Sequence, residues 1–236
     1  MNKVYSDPIH DQLLDAILPH VAFDGWAPSA FNAAVAEVGI DPAQAKSLCP
    51  RGAIDLAIAY HLRGDAAMVA AMVAALKAAD MDDMRFRDKV ALAVRLRINA
   101  VDDKEAVRRG TALFALPHMV PEGAKLVWGT ADQIWTALGD TSRDVNWYTK
   151  RMTLSGVYSA VVLFWLGDDS LDMQATDAFI DRRIDDVMQF EKFKAQVKAN
   201  PVLKPFAGVV GSLLSAIKAP TIDPQPDLPG IWRDPK

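Results

Sequence analysis

The stretch that decides the fold is residues 139–166, GDTSRDVNWYTKRMTLSGVYSAVVLFWL. Its first part is a polar turn in which Asp140, Thr141, Ser142 and Asp144 are all suitable N-terminal caps for a helix. The helix that follows has an apolar face repeating at spacings of three and four: Trp147, Arg151, Leu154, Tyr158, Val161 and Trp165. Further apolar residues lie beside this face: Tyr148, Met152, Val162 and Leu166. We therefore predict a long helix that is surrounded by other helices.

The rest of the chain also has helical patterning. Prolines mark helix starts near residues 28, 42 and 121, and glycines mark helix ends at residues 39 and 139. A final bundle helix follows the caps at residues 168–170, and four of its residues should face inward: Thr176, Ile180, Ile184 and Val187. The predicted helices are 11–22, 28–38, 42–49, 53–78 with a break or kink near Gly64, 83–101, 103–115, 121–138 and the two just described. No alternating run predicts a sheet, so the fold class is all-α with about nine helices.

The composition indicates a soluble globular protein in a reducing compartment. The chain has 236 residues, 51% of them hydrophobic, with a formal net charge of −4 and a single cysteine, Cys49. Residues 1–21 are more acidic than basic and have no apolar core, unlike a transit or signal peptide. No stretch reaches the eighteen or so apolar residues of a membrane span. We expect a bacterial cytoplasmic protein, peripheral on the inner membrane.

The first fifty residues have the order and spacing of helices and turns that is typical of a helix-turn-helix unit. Three short helices are separated by turns at Gly25-Trp26 and Gly39, and a long helix opens at Arg51-Gly52. This order resembles the N-terminal region of TetR-type regulators, although three short helices could also simply pack together. The candidate recognition helix, 42–49, offers one cation, Lys46, and residues 1–60 have a net charge of −4. Because phosphate contacts need lysine and arginine, we expect no nucleic-acid binding. A TetR-type ligand-responsive regulator is the alternative function.

A longer resemblance begins at the polar turn. Residues 139–142, Asp144, 146–149 and Arg151 resemble the hallmark segment of the Coq-nine family of ubiquinone biosynthesis. The match continues through further residues: Leu154, Val157, Tyr158, Trp165, Asp168, Asp169, Ser170, Thr176, Phe179, Arg182, Arg183, Ile184 and Val187. It covers residues 117–190 well and the N-terminal half more loosely.

The resemblance implies a fold and a role. Members of the family are TetR-like, usually homodimeric and without catalytic chemistry of their own. They bind isoprenoid quinone intermediates in an apolar pocket and present them to the Coq-seven-type demethoxyubiquinone hydroxylase. The resemblance associates docking of that partner with Asp144, Asn146, Trp147, Tyr148 and Arg151. The alternative for the two aromatic residues is an ordinary place in the core. No cofactor is expected, apart from a bound isoprenoid quinone or phospholipid.

The pocket should be lined by apolar and small side chains, because an isoprenoid tail needs a dry cavity. The candidate lining residues are Met68, Met72, Leu76, Val127, Ile134, Tyr158 and Val162. The alternative for the alanine- and methionine-rich part is a tight helix contact. Four scattered histidines provide no metal-ligand pair: His10, His20, His61 and His118. His61 and Asp65 are four residues apart, which favours a surface pair over a metal or base role, and a metal-dependent enzyme is the third hypothesis.

The C-terminal part predicts an amphipathic helix from about residue 202. Its apolar stripe is Phe206, Val209, Val210, Leu213, Leu214 and Ile217, flanked by Lys204 and Lys218. Such a helix either packs on the bundle or lies on an anionic membrane, and the family resemblance implies the membrane. The predicted organisation is a helix-turn-helix region at 1–62, a ligand-binding and dimerisation bundle at 63–190, this helix within 191–219 and a loose tail at 220–236.

Overall fold

The computed structural model describes residues 7–78 and 84–199, with side chains for 7–75 and 84–189. Within these ranges the chain forms only helices and no strand, which confirms the all-α prediction. The α-helices are α1 (Pro8–Asp24), α2 (Pro28–Val38), α3 (Pro42–Leu48), α4 (Ala53–Ala78), α5 (Phe86–Asn99), α6 (Lys104–Phe114), α7 (Val120–Ala137), α8 (Val145–Leu166) and α9 (Gln174–Ala199). A short 3₁₀ turn, Leu171–Met173, precedes α9.

Aspartate side chains cap the starts of several helices. The carboxylates of Asp7, Asp41, Asp103 and Asp144 each accept a hydrogen bond from a backbone N–H in the first turn of α1, α3, α6 and α8. Gly39 ends α2 in the left-handed conformation, with φ of +73°. These local signals explain why the sequence predicts most helix boundaries to within a few residues.

Two apolar clusters make up the core, and α4 contributes to both. The N-terminal cluster joins α1, α2, α3, the first turns of α4 and part of α6. The second cluster joins the later turns of α4 to α5, α7, α8 and α9. Helix α4 is continuous across the predicted boundary between residues 62 and 63, and Ala106 of α6 packs into the N-terminal cluster. The two predicted regions therefore share one helix.

The break predicted near Gly64 does not occur. A Cβ atom at residue 64 would lie 2.7 Å from Nη1 of Arg97, which reaches α4 from α5. Glycine at this position therefore allows an arginine side chain to lie against α4, and the helix continues without interruption.

The expectation that no segment is apolar enough to span a membrane was also wrong. Residues Ala53–Ala75 of α4 meet that test by length and composition, because alanine is abundant in this helix. In the bundle the same helix contacts α1, α2, α5 and α7, and 44% of its most apolar 18-residue segment is buried inside the protein. Such packing is typical of the core helix of a helical bundle.

Helix α9 lies against α5 and α8. Thr176, Ile180 and Ile184 are buried and Val187 packs on the second cluster, as predicted. The acidic face of α9 is more than a solvated surface, because it makes ion pairs with two arginines of α5: Arg95 with Asp177 and Asp181, and Arg87 with Asp185. The predicted membrane stripe and its lysines, Lys204 to Lys218, lie outside the described residues.

Candidate functional site

A cavity of about 610 Å³ lies among α4, α5, α6, α7 and α8. Small residues on three of these helices leave the space: Ala106, Gly110, Gly123, Ala124 and Gly156. Gly123 also allows close approach of α7 to the end of α6, since a Cβ there would be 2.9 Å from the Cβ of Phe114. Larger apolar side chains complete most of the wall, including those of Ile98, Val107 and Leu126. The result is a mainly apolar space of the size that small-molecule sites have.

Three of the predicted lining residues border this cavity: Val127, Tyr158 and Val162. Met68, Met72 and Ile134 do not border it and are buried in the second apolar cluster. The side chain of Leu76 lies outside the described part of the chain. Helix α4 reaches the cavity about two to three turns earlier than predicted, through Ala57, Tyr60 and His61. The glycines of α6, α7 and α8 are the sequence signal that would have located the space.

The cavity opens to the surface beside an apolar rim. Met152 and Leu163 of α8 are each 62% exposed and Val120 of α7 is 49% exposed, and all three border the cavity. Trp128 of α7 also borders it. These exposed side chains give an apolar ligand a path between the surface and the cavity that does not cross a polar surface.

A buried polar network borders the cavity at α4, α5 and α7. Nε of Arg97 donates to Oδ1 of Asp65 at 2.6 Å, and both side chains are almost fully buried. Thr130 and Gln133 also donate to this carboxylate, at 2.9 and 3.3 Å. The imidazole Nε2 of His61 lies 2.9 Å from Oγ1 of Thr130. We call this set the Asp65–Arg97 network. The predicted surface pair of His61 and Asp65 is thus wrong, since Asp65 is buried by α5 and α7.

Burial determines the charges of this network. It lowers the pKa of His61 to about 4, because desolvation outweighs the attraction of Asp65. Burial raises the pKa of Tyr158 to about 12. Although burial opposes the charge of Arg97, contacts with Tyr158 and Asp65 raise its pKa above the ordinary value. At neutral pH, His61 in the network and Tyr158, whose ring lies beside Arg97, are therefore both uncharged.

Metal-ligating side chains do not cluster in the described ranges: no three His, Cys, Asp or Glu side chains could together hold a metal ion.

Ser155 of α8 lies in the wall of the cavity. Its hydroxyl oxygen is buried and has no hydrogen-bond partner among the described residues. A buried hydroxyl without a partner costs free energy, which a ligand oxygen would recover.

The predicted docking residues divide into two groups. Trp147 and Tyr148 are half-buried and form an aromatic cluster with Trp128, with the rings of Trp147 and Tyr148 in an edge-to-face arrangement at 4.8 Å. Asp144 and Asn146 are exposed, and the Asn146 side chain donates to the Asp144 carboxylate at 2.8 Å. Since Trp128 also borders the cavity, the aromatic cluster adjoins the cavity wall.

Arg151 differs from its predicted neighbours, because its side chain is only 3% exposed. Nη1 of Arg151 lies 3.0 Å from Oδ2 of Asp140, Nε pairs with Asp132, and the guanidinium stacks 4.1 Å from the Trp147 ring. Arg151 therefore packs against the Trp147 ring with its charge paired inside the protein, and its docking role stays a prediction. The two carboxylates that pair with Arg151, those of Asp140 and Asp132, lie 11 and 19 residues away along the chain.

The polar turn provides the centre of this second network. Besides Arg151, Asp140 accepts hydrogen bonds from Nζ of Lys150 at 2.7 Å and from Oγ of Ser142 at 2.8 Å. Although burial opposes the charge of Asp140, these donors lower its pKa to about 2. We call this set the Asp140–Arg151 network.

The helix-turn-helix elements are present as α2 and α3. Helix α3 is seven residues long, carries Lys46 as its one cation, and is capped by Asp41. Lys46 and Arg51 are the basic residues among residues 7–60, against seven acidic ones: Asp7, Asp11, Asp15, Asp24, Glu37, Asp41 and Asp55. The predicted absence of nucleic-acid binding stays a prediction with this electrostatic support.

Comparison with known proteins gives matches to one family. A family model described as COQ9 matches residues 120–191. The chain is 28% identical over 192 residues to "Probable ubiquinone biosynthesis protein coq9, mitochondrial" of Dictyostelium discoideum, covering 79% of this chain and 62% of that protein. It is 26% identical over 200 residues to "Ubiquinone biosynthesis protein COQ9, mitochondrial" of Homo sapiens, covering 82% of this chain and 62% of that protein. The chain thus matches just under two thirds of the length of these relatives.

A solved structure supports the fold independently. The TetR transcriptional regulator from Nitrosomonas europaea ATCC 19718 superimposes with a TM-score of 0.60, covering 75% of this chain and 96% of that chain. The two sequences are 17% identical. This similarity confirms the TetR-like helical fold predicted from the first fifty residues, and it concerns the fold alone.

Proposed function

We propose that the chain acts in ubiquinone biosynthesis, as a member of the COQ9 family whose model it matches at residues 120–191, by binding a lipid and not by catalysing a reaction. In this proposal the cavity holds the tail of an isoprenoid quinone intermediate. The protein presents the ring of that intermediate to a Coq-seven-type demethoxyubiquinone hydroxylase at a membrane surface. Assembly as a homodimer stays a prediction.

The observation that carries the proposal is the apolar cavity of about 610 Å³ with an apolar rim. Moving hydrocarbon from water into such a space contributes about 0.8 kcal/mol for each buried CH₂ group. An isoprenoid tail therefore gains affinity from the wall without needing hydrogen bonds. The wall also has a few polar groups, Ser155, Tyr158 and His61, which would suit the oxygen atoms of a phenol or quinone ring.

The position of the aromatic cluster supports the presentation step. Trp128 belongs both to the cavity wall and to the cluster with Trp147 and Tyr148. A partner that covers this cluster would lie beside the opening between α7 and α8. The ring of a bound intermediate could then pass to the partner over a short apolar path.

The cavity proposal is tested with two glycine variants. A Cβ atom at Gly156 or at Gly129 meets no other atom within 4 Å, and both glycines lie inside helices. Gly156 borders the cavity, whereas Gly129 does not. Gly156→Leu should reduce the prenylated lipid that co-purifies with the native protein, measured by mass spectrometry, and Gly129→Leu should not. Equal lipid content in both variants and the wild type would contradict the proposal.

Membrane association is proposed to involve the stripe from Phe206 to Ile217. Burial of six apolar side chains in a membrane surface would contribute several kcal/mol, on the order of 1 kcal/mol or more each before ordering costs. Deletion of residues 202–236 should abolish co-sedimentation with anionic vesicles while the thermal melting of the bundle is retained. Undiminished sedimentation would show that another surface binds the membrane.

A further inference from the structure

A second apolar space lies behind one wall of the cavity. It is a groove of about 600 Å³ between α2, α3, the start of α4 and α6. Phe31, Val35 and Ile40 provide apolar side chains, while Lys46 and Arg51 lie at its exposed margin. The residues matched by the family model, 120–191, and the predicted lining residues both lie outside this groove.

The cavity and the groove meet at the same two helices, α4 and α6. On α4, Ala53 borders the groove and Ala57 borders the cavity. On α6, Leu113 borders the groove while Gly110 and Phe114, on either side of it in the sequence, border the cavity, so the two spaces lie on different faces of this helix. Residues three or four apart are about one helical turn apart, or roughly 5–6 Å along the axis. The two spaces are therefore separated by about the thickness of one side chain.

Trp26 is that side chain, since it borders both spaces. Its indole is buried, and Nε1 donates a hydrogen bond to the carbonyl oxygen of Ala106 at 3.0 Å. The ring lies 5.9 Å from that of Tyr60. Gly110 lies directly beside it, since a Cβ there would be in van der Waals contact with Nε1 at 3.5 Å. Trp26 is located in the turn between α1 and α2, outside any helix, directly after Gly25 with φ of +70°.

We propose that Trp26 is the residue that sets the length of hydrocarbon chain the protein accepts. This inference rests on the lipid-binding function proposed above. The indole closes the inner end of the cavity, so a chain that fills the cavity stops against it. Replacing the indole with a smaller side chain joins the cavity to the groove and roughly doubles the apolar space available to one chain. The groove then takes the distal isoprene units of a longer tail.

The test measures binding of a series of prenols, farnesol, geranylgeraniol and solanesol, to the full chain. Wild-type affinity should stop rising once the cavity is full. In Trp26→Leu the longest prenol should bind at least about tenfold more tightly than in the wild type, because burial of only two further carbons has that effect. Trp26→Phe keeps a ring but loses the hydrogen bond to Ala106, and it should give a smaller shift in the same direction.

The control variant is Val35→Ala, which enlarges the groove without altering the partition. It should leave the preference for chain length unchanged, and circular dichroism and melting show whether each variant is folded. If Trp26→Leu does not fold, the shift in Trp26→Phe decides. An unchanged length preference in folded Trp26 variants, or an equal shift in Val35→Ala, overturns the role of Trp26 and leaves lipid binding intact. Absence of binding by the wild type for every prenol overturns both proposals.

Discussion

Arg97 and Arg151 are both buried arginines paired with aspartate, yet they do different things in the molecule. Arg97 lies in the middle of the bundle, where its partner Asp65 is as buried as the arginine itself. Arg151 lies near the start of α8, where Asp132 is 43% exposed and Lys150 shares the carboxylate of Asp140. The ion pair of Asp65 and Arg97 is closed to solvent, whereas the Asp140–Arg151 network reaches the surface through Asp132 and Lys150. The sequence around an arginine in a helix thus does not show whether the side chain pairs inside the core or near the surface.

The largest expected effect follows from removing Arg97. Arg97→Met leaves the Asp65 carboxylate buried and without its ionic partner, and such a loss costs about 3–5 kcal/mol of unfolding free energy. Urea unfolding measures this change. The double variant Arg97→Met with Asp65→Leu removes both charges and should recover much of the loss. If the single variant were as stable as the wild type, solvent would have to reach Asp65, and the contrast between the two networks would fail.

The second effect is a pH dependence that separates the networks. The pKa of His61 is about 4 in the folded protein, below the ordinary 6.5, so the unfolded chain binds a proton first as the pH falls. Stability should therefore decrease from pH 6.5 to pH 4, by up to roughly 3 kcal/mol. Burial lowers the pKa of His10 in the same direction, so the variant His61→Asn is needed to isolate the contribution of His61. Retention of the full pH slope in that variant would contradict this explanation.

The Asp140–Arg151 network should respond in a different pH range. The folded pKa of Asp140 is about 2, below the ordinary 3.8, so the folded state keeps its carboxylate charged when the unfolded state is protonated. Its stabilisation is present above about pH 4 and is lost as the pH falls towards 2. Thermal melting from pH 7 to pH 2 should therefore show one loss above pH 4 and another below it.

Removal of Arg151 should have a smaller effect than removal of Arg97. Lys150 continues to pair with Asp140, and Asp132 can turn to water, so Arg151→Met should cost about 1–3 kcal/mol. The same burial means that Arg151→Glu, which would add a third carboxylate beside Asp132 and Asp140, cannot be used as a purely surface change. Equal losses for Arg97→Met and Arg151→Met would remove the distinction drawn above.

The smallest effect, and the one specific for docking, concerns the aromatic cluster. Trp147→Ala or Tyr148→Ala should weaken binding to the proposed hydroxylase partner by at least about 1–2 kcal/mol, because half-exposed aromatic residues are frequent anchors of interfaces. Partner pull-down and thermal melting are compared in the same variants. If these variants lose stability but retain partner binding, the cluster serves the core and docking lies elsewhere.

Much of the fold could be predicted because its signals are local. Proline, glycine and aspartate at helix ends depend only on the adjacent backbone, and they locate most of the boundaries of α2, α3 and α8. Gly64 led to a wrong prediction of a helix break. Glycine is needed there because Arg97, 33 positions further along the chain, packs against it. The same limit applies to the site. Met68 and Met72 fit a cavity wall and a core equally well, and only the rotation of α4 against its neighbours decides between them.

Helix α4 has a consequence for how the chain folds. It belongs to both apolar clusters, so neither cluster can be completed before this helix has formed along its length. We therefore expect the described part of the molecule to unfold in one cooperative step rather than region by region. A fragment ending at residue 62 would divide the helix and lose Met68 and Met72 from the interior. Dissecting this protein into separately expressed halves should yield aggregates, although each half alone has the pattern of a small helical domain.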